Sequence, residues 1–203
     1  MEPDVQRRLL AKTREYLTGF EKPGLARFLD VVDWSMEERL LSSKPLPCLR
    51  HLDRISSIAG EEVREVVRLL AENRNALHWG QTYVEADFGR HFIDNYGWLE
   101  LFGTRGHFVN DRMAGGFLIL GPNLHYPDHH HAAEEIYVPL SGRAMWRKGD
   151  GPYVERPAGA FIHHPSDVSH AMKTREEPLL ALYLWRGGQL AARSTITGRV
   201  EAS

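Results

Sequence analysis

Two spacings of apolar residues divide the chain. In the first hundred positions they recur at helical intervals. Val5, Leu9 and Tyr16, with Leu10 and Leu17 alongside, predict an N-terminal helix that stops near Gly19. Ser35 followed by Glu38 reads as a capping box for a short helix ending before Pro45. The clearest helix covers 61–77, with Val63, Val66, Val67 and Leu70 on one side and a solvated polar face from Glu61 to Arg74. From Tyr83 to Asn110 the pattern is irregular and aromatic, through Phe88, Phe92, Tyr96, Trp98, Phe102 and Phe108. Such a stretch fills a seam between helices and a sheet, or walls a pocket.

After Gly116 the spacing changes. Short apolar runs appear at 117–120, 136–140, 144–147, 160–163, 168–172 and 179–185. Gly121-Pro122, Ser141-Gly142, Gly149-Asp150-Gly151 and Pro157-Ala158-Gly159 punctuate them. Many short strands without long helices between them predict an antiparallel sandwich or barrel. No glycine-rich loop joins a strand to a helix, as a wound parallel sheet would need. The expected division is a helical segment, 1–110, packed on a β-barrel, 111–203. The tail after Gly188, with Ser194, Thr195 and Thr197, supplies an edge strand or frays.

Composition narrows the function. The 203 residues are 42% hydrophobic and carry a net charge of -2, which gives no reason to expect a nucleic-acid or anionic-membrane partner. A single cysteine, Cys48, cannot form an internal disulfide and suits a reducing compartment. No apolar stretch reaches the roughly 18 residues of a membrane span, and MEPDVQRRLLAK lacks the apolar core of a signal peptide. The expectation is a soluble cytoplasmic protein. Histidine is the unusual feature, with seven of 11 between positions 125 and 170.

Those histidines lie in HYPDHHHAAEEIYVPLSG, 125–142, and HHPSDVSHAM, 163–172. On an extended strand His129 and His131 point to one face, and His130 to the other. Glu135 follows four residues after His131, and Tyr137 can share its face. His170 arrives from another strand. Imidazoles and a carboxylate converging from two strands suit one divalent transition metal: Fe(II), Mn(II), Zn(II), Ni(II) or Co(II). His125, His163 and His164 are candidates for pocket groups around it. His51, His78, His91 and His107 have no ligand spacing and read as structural.

The spacing carries a resemblance. His129, His131, Glu135 and Gly142 match the first cupin motif, H-x-H-x3-E-x6-G, and Gly159, Pro165 and His170 resemble the second, G-x5-P-x-G-x2-H. Asn123 and Asp167 stand where those motifs have glycine, and Thr174 replaces a closing asparagine. The resemblance implies a mostly β jelly-roll barrel with a metal site. An exposed edge of such a barrel invites a homodimer, although oligomeric state stays open.

More narrowly, YPDHHHAAEEIYVPLSGRAMW, FIHHPSDVSHAM and LYLWRGG resemble the cupin-type dimethylsulfoniopropionate (DMSP) lyases of marine bacteria, which release dimethyl sulfide and acrylate. By that resemblance His131, Glu135, Tyr137 and His170 match metal-site residues, and Tyr126 a pocket tyrosine. His129 holds the additional histidine of general cupins, so either His129 or Tyr137 completes the ligand set. The implied chemistry is β-elimination from a metal-bound carboxylate, with Tyr137 as base ahead of Tyr126. Trp185, Tyr183, Trp146 and Phe161 are candidate faces for the sulfonium cation, with His125 also at the pocket. The rivals are another cupin enzyme, such as a dioxygenase or sugar isomerase, and a non-catalytic ligand-binding cupin.

Overall fold

A computed structural model describes residues 5–20 and 22–197. The helical part holds α1 (Val5–Gly19), α2 (Pro23–Leu29), α3 (Leu52–Ile58), α4 (Arg64–Glu72) and α5 (Glu85–Asn95). In α1, Leu9, Thr13 and Leu17 are buried at four-residue spacing, and the helix stops at Gly19 as expected. The expected 61–77 helix opens as a 3-10 turn, Glu61–Val63, and ends at Glu72. Asn73 closes it, because its side-chain amide donates back to the Leu69 carbonyl at 2.9 Å.

The helix expected after Ser35 does not form. That segment is extended: the Ser35 N–H donates to the Asp33 carboxylate at 2.9 Å, and Glu38 bridges to Phe108. Glu38 also pairs with Arg7 at 2.6 Å, so the side chain read as a cap holds α1 instead.

Two sheets form the barrel. The six-stranded sheet runs β2 (Phe108–Val109), β1 (Tyr96–Gly103), β3 (Met113–Leu120), β10 (Leu179–Arg186), β5 (Glu134–Ser141), β8 (Ile162–His164). The five-stranded sheet runs β11 (Thr195–Ile196), β4 (His125–His130), β9 (His170–Thr174), β6 (Ala144–Lys148), β7 (Val154–Arg156). All pairings are antiparallel except β1 with β2. The tail after Gly188 does supply an edge strand, β11.

The sheet begins at Tyr96, ahead of the expected boundary at 111. β1 pairs with β3 from Tyr96↔Leu120 to Phe102↔Gly115. It is almost wholly buried, because helices cover one face and the second sheet the other. A strand buried on both faces loses the apolar–polar alternation that would have revealed it.

Alternation along the six-stranded sheet separates structure from site. Leu180, Leu182 and Leu184 face the helices, where Leu99, Phe117, Ile136 and Val138 meet Leu9, Phe28, Val66 and Leu70. Each such buried side chain contributes about 1.5–3 kcal/mol relative to exposure. The opposite positions, Ala181, Tyr183 and Trp185, face the barrel interior with Tyr137 and Leu118.

A polar clamp fastens α2 to this sheet. Glu134 accepts from Arg27 and, at 2.9 Å, from Arg186, and it lies 2.7 Å from the His163 ring. Arg186 also donates to the Arg27 carbonyl at 2.7 Å and lies over the Phe28 ring. Burial raises the Glu134 carboxyl, but His163, Arg186 and Arg27 outweigh it and hold the group below its ordinary value. Its stabilising contribution is therefore present above the unfolded carboxylate pKa and lost as pH falls through the depressed one. Glu134→Gln is expected to cost about 0.5–1 kcal/mol at pH 7 in urea denaturation. The difference from the parent protein should vanish in acid.

Candidate metal centre

Three imidazoles converge inside the barrel. His129, His131 and His170 are all buried, and one nitrogen from each lies within 4.8 Å of the others. Their other nitrogens are occupied: Nδ1 of His129 meets the Pro127 carbonyl at 2.8 Å, that of His131 the Ala133 carbonyl at 2.8 Å, and that of His170 the Val168 carbonyl at 2.9 Å. A carbonyl only accepts, so each Nδ1 carries a proton, and in the neutral ring Nε2 keeps its lone pair. Glu135 Oε2 lies 3.0 Å from His131 Nε2 and 3.1 Å from His170 Nε2. The buried His170 Nε2 has no well-directed hydrogen bond of its own. Lone pairs facing one point beside a buried carboxylate fit a divalent cation, and the donor set suits Fe, Mn, Zn, Ni or Co.

Local backbone irregularity builds this convergence. Tyr126 pairs with Met172 and His129 with His170, with a register break between them at Pro127-Asp128. A regular strand would place residues three apart on opposite faces. The bulge turns both inward, and the Tyr126 ring stacks on His129 at 4.2 Å and 8°. His131 lies just past β4, in the turn before β5, so the shared face expected for His129 and His131 is achieved through that turn.

Electrostatics in the cluster are set by burial and by one carboxylate. Burial opposes charge on His131 and on Glu135, but their mutual attraction outweighs it. His131 is raised, and Glu135 is held well below the usual carboxylate range, with His170 adding. Burial pushes His129 well down, with His170 adding. Trp185 orients the carboxylate: its indole N–H donates to Glu135 Oε1 at 2.5 Å, and its ring lies 4.0 Å from that of His131. Oε1 is thereby engaged and Oε2 is turned to the imidazoles.

A narrow, solvent-open cleft leads to Glu135. Tyr126, Tyr183 and Trp185, read from the sequence as pocket residues, line it with Tyr137, Tyr96, Trp98, Glu100 and Arg105. Burial drives the Tyr126 and Tyr137 phenols well above the ordinary tyrosine value, with Tyr96 adding at Tyr126 and Glu135 at Tyr137. The Tyr126 hydroxyl is 3.1 Å from that of Tyr83.

Other expected pocket residues lie elsewhere. His125 sits on the outer side of β4, with Nε2 3.1 Å from the Tyr153 hydroxyl. Phe161 packs beside Gly24 of α2. His163 belongs to the Glu134 clamp. Trp146 lies 5.0 Å from the Tyr137 ring, outside the residues lining the cleft. His164 stacks on His170 at 4.1 Å, and burial pushes it down to about 2, which makes it a neutral wall. His130 stays outside the cluster, as expected. Buried Cys48 is pushed up to about 12 by desolvation and is no nucleophile. Glu100 was missed, although a lone acid inside the apolar run YGWLELFG was its signal.

A family model for dimethylsulfoniopropionate lyases matches residues 22–181. The chain belongs to the dimethylsulfoniopropionate lyase family. DMSP lyase DddQ of Ruegeria pomeroyi is 37% identical over 109 residues, 54% of this chain and 54% of that protein. The putative DMSP lyase DddL of Cereibacter sphaeroides is 29% identical over 147 residues, 70% of this chain and 60% of that one. These matches thus span little more than half the length of the two curated relatives. The crystal structure of DddQ from Ruegeria pomeroyi DSS-3 superposes with a TM-score of 0.87 at 26% identity, covering 97% of this chain and 98% of that one. A structure of the DMSP lyases RdDddP and RnDddQII gives a TM-score of 0.87 at 29% identity, covering 95% and 97%.

The fold is therefore the cupin barrel of the DMSP lyases, and the motif departures have physical explanations. Asn123 and Asp167, where the motifs have glycine, adopt φ of 54° and 60°. Asn and Asp are the non-glycine residues that best tolerate that region. Thr174 ties β9 to the turn before β4, donating to the Gly121 carbonyl at 2.6 Å and accepting from the Leu124 N–H at 2.9 Å. Trp185→Phe keeps a ring beside His131 but removes the hydrogen bond to Glu135. Titration with Zn(II) against a competing chelator should show affinity lowered about 10–100-fold.

Proposed function

We propose that this chain is a metal-dependent lyase that cleaves DMSP to dimethyl sulfide and acrylate by β-elimination. The observation that carries this reading is the set of three Nε2 lone pairs facing one point beside Glu135, at the end of an aromatic cleft. His129, His131, His170 and Glu135 would hold the ion. A divalent cation bound there would neutralise the substrate carboxylate and so acidify the neighbouring carbon.

Tyr137 is the proposed base. Its phenol borders Glu135, and in the metal-free site burial and that carboxylate keep it protonated. Positive charge at the imidazole cluster opposes both effects and favours phenolate. The phenolate takes the proton from the carbon beside the carboxylate. That C–H pair forms the new C=C bond, the C–S bond breaks, and its electrons leave on sulfur as neutral dimethyl sulfide. Tyr126 takes the positioning role, because its ring is stacked on His129 and its hydroxyl is tied to Tyr83. The aromatic walls exclude water and suit the sulfonium end.

Among the described residues no helix is long and apolar enough to cross a membrane. A small-molecule substrate is the partner this cleft supports.

Headspace gas chromatography tests the activity. Metal-loaded protein is expected to release dimethyl sulfide from DMSP without consuming oxygen, and chelator-stripped protein to release none until metal is restored. Oxygen-dependent turnover would favour a dioxygenase. Tyr137→Phe should fold normally by circular dichroism and lose at least about 100-fold in kcat. Release equal to the parent protein would remove Tyr137 as base. With Tyr137 as base, the rate of the metal-loaded parent protein should increase with pH as its phenolate forms.

A further inference from the structure

The row of residues crossing the inner face of the six-stranded sheet ends in an acid. Register aligns Glu100 with Gly116, Gly116 with Tyr183, and Tyr183 with Tyr137. Residues aligned across adjacent strands share a face, so Glu100 opens into the cleft that contains Tyr137. Gly116 between them carries no side chain and can carry none, since a Cβ there would lie 1.8 Å from the Leu99 carbonyl oxygen. The row spans four strands, so three spacings separate its ends, about 14 Å between the β1 and β5 backbones at the usual strand spacing.

Glu100 is 3% exposed, and a carboxylate so buried needs compensation. It accepts the Arg105 backbone N–H at 2.6 Å. Its other oxygen meets Arg105 Nε at a long 3.3 Å, and the Arg105 side chain is 44% exposed. That guanidinium lies over the Trp98 ring at 5.1 Å. The far end of the cleft thus already holds a cation between a carboxylate and an aromatic face, supplied by a loosely tied, solvent-facing side chain. The other end presents Glu135 and the imidazoles.

We propose that Glu100, with Trp98, is the specificity-determining subsite for the cationic end of the substrate. The proposal rests on the lyase reading. A zwitterion of matching length places its carboxylate at the imidazole cluster and its sulfonium against Glu100 and Trp98, and Arg105 moves out to solvent. The attraction acts on the charge the substrate loses. It strengthens binding of the sulfonium, gives nothing to neutral dimethyl sulfide, and so does not help the C–S bond to break. Removing it therefore weakens substrate binding without slowing the chemical step.

The test uses Glu100→Gln and two unreactive probes sharing the substrate's carboxylate: cationic 3-(trimethylammonio)propionate and neutral 3-(methylthio)propionate. Calorimetric binding to metal-loaded parent protein is expected to favour the cationic probe by about tenfold or more, and Glu100→Gln to abolish that preference. With DMSP, the variant should show KM raised about tenfold, with kcat within about threefold of the parent value or higher. Equal affinity of the parent protein for the two probes would overturn the proposal, whether or not the variant folds. An unchanged preference in Glu100→Gln, or a fall confined to kcat, would do the same. Binding is read without turnover, so failure of the lyase reading shows separately, as absence of dimethyl sulfide from the parent protein.

Discussion

Three hydrogen bonds that never touch a ligand govern the site. The Nδ1 atoms of His129, His131 and His170 each donate to a nearby backbone carbonyl, and in the neutral rings this leaves three lone pairs converging in a buried interior. Without those carbonyls the rings could turn or take the other tautomer, and the convergence would be lost. With them, the cluster gathers electron density that only a proton or a cation can balance. Glu135 intensifies the demand, because burial opposes its charge and His131 is the neighbour that sustains it.

The barrel exists in the form it does because that cluster must be held from both sheets. β4 and β9 deliver His129 and His170 from one sheet, and β5 and β10 deliver Glu135 and Trp185 from the other. The same β10 whose inward residues line the cleft sends Leu180, Leu182 and Leu184 into the helical cover. Helices and site therefore share one sheet, and the Glu134 clamp joins them one residue away from Glu135. The cover is a support for the geometry of the site as much as an apolar lid.

The grouping of His129, His131, His170 and Glu135 was legible because imidazoles and carboxylates recur there at strand spacing. The motif departures were readable too: Asn123 and Asp167 preserve the positive φ of the glycines they replace. What escaped was whatever depends on backbone irregularity or on contacts between distant segments. The bulge at Pro127-Asp128 that stacks Tyr126 on His129 leaves no trace in simple alternation. Trp185 was read as an aromatic wall, but it also orients Glu135, a contact across paired strands that spacing does not encode. β1 was hidden because both of its faces are buried, and Glu100 was hidden with it. Ser35 and Glu38 matched a capping box, yet the ion pair with Arg7 and the bridge to Phe108 prevailed over local propensity.

If the converging nitrogens hold one divalent ion, anomalous diffraction from crystals grown with Zn(II) or Co(II) should show it. One peak per chain is expected, about 2.0–2.1 Å from Nε2 of His129, His131 and His170 and within bonding distance of Glu135. A peak at the surface with none inside the barrel, or an ion bound without the three histidines, would contradict that expectation.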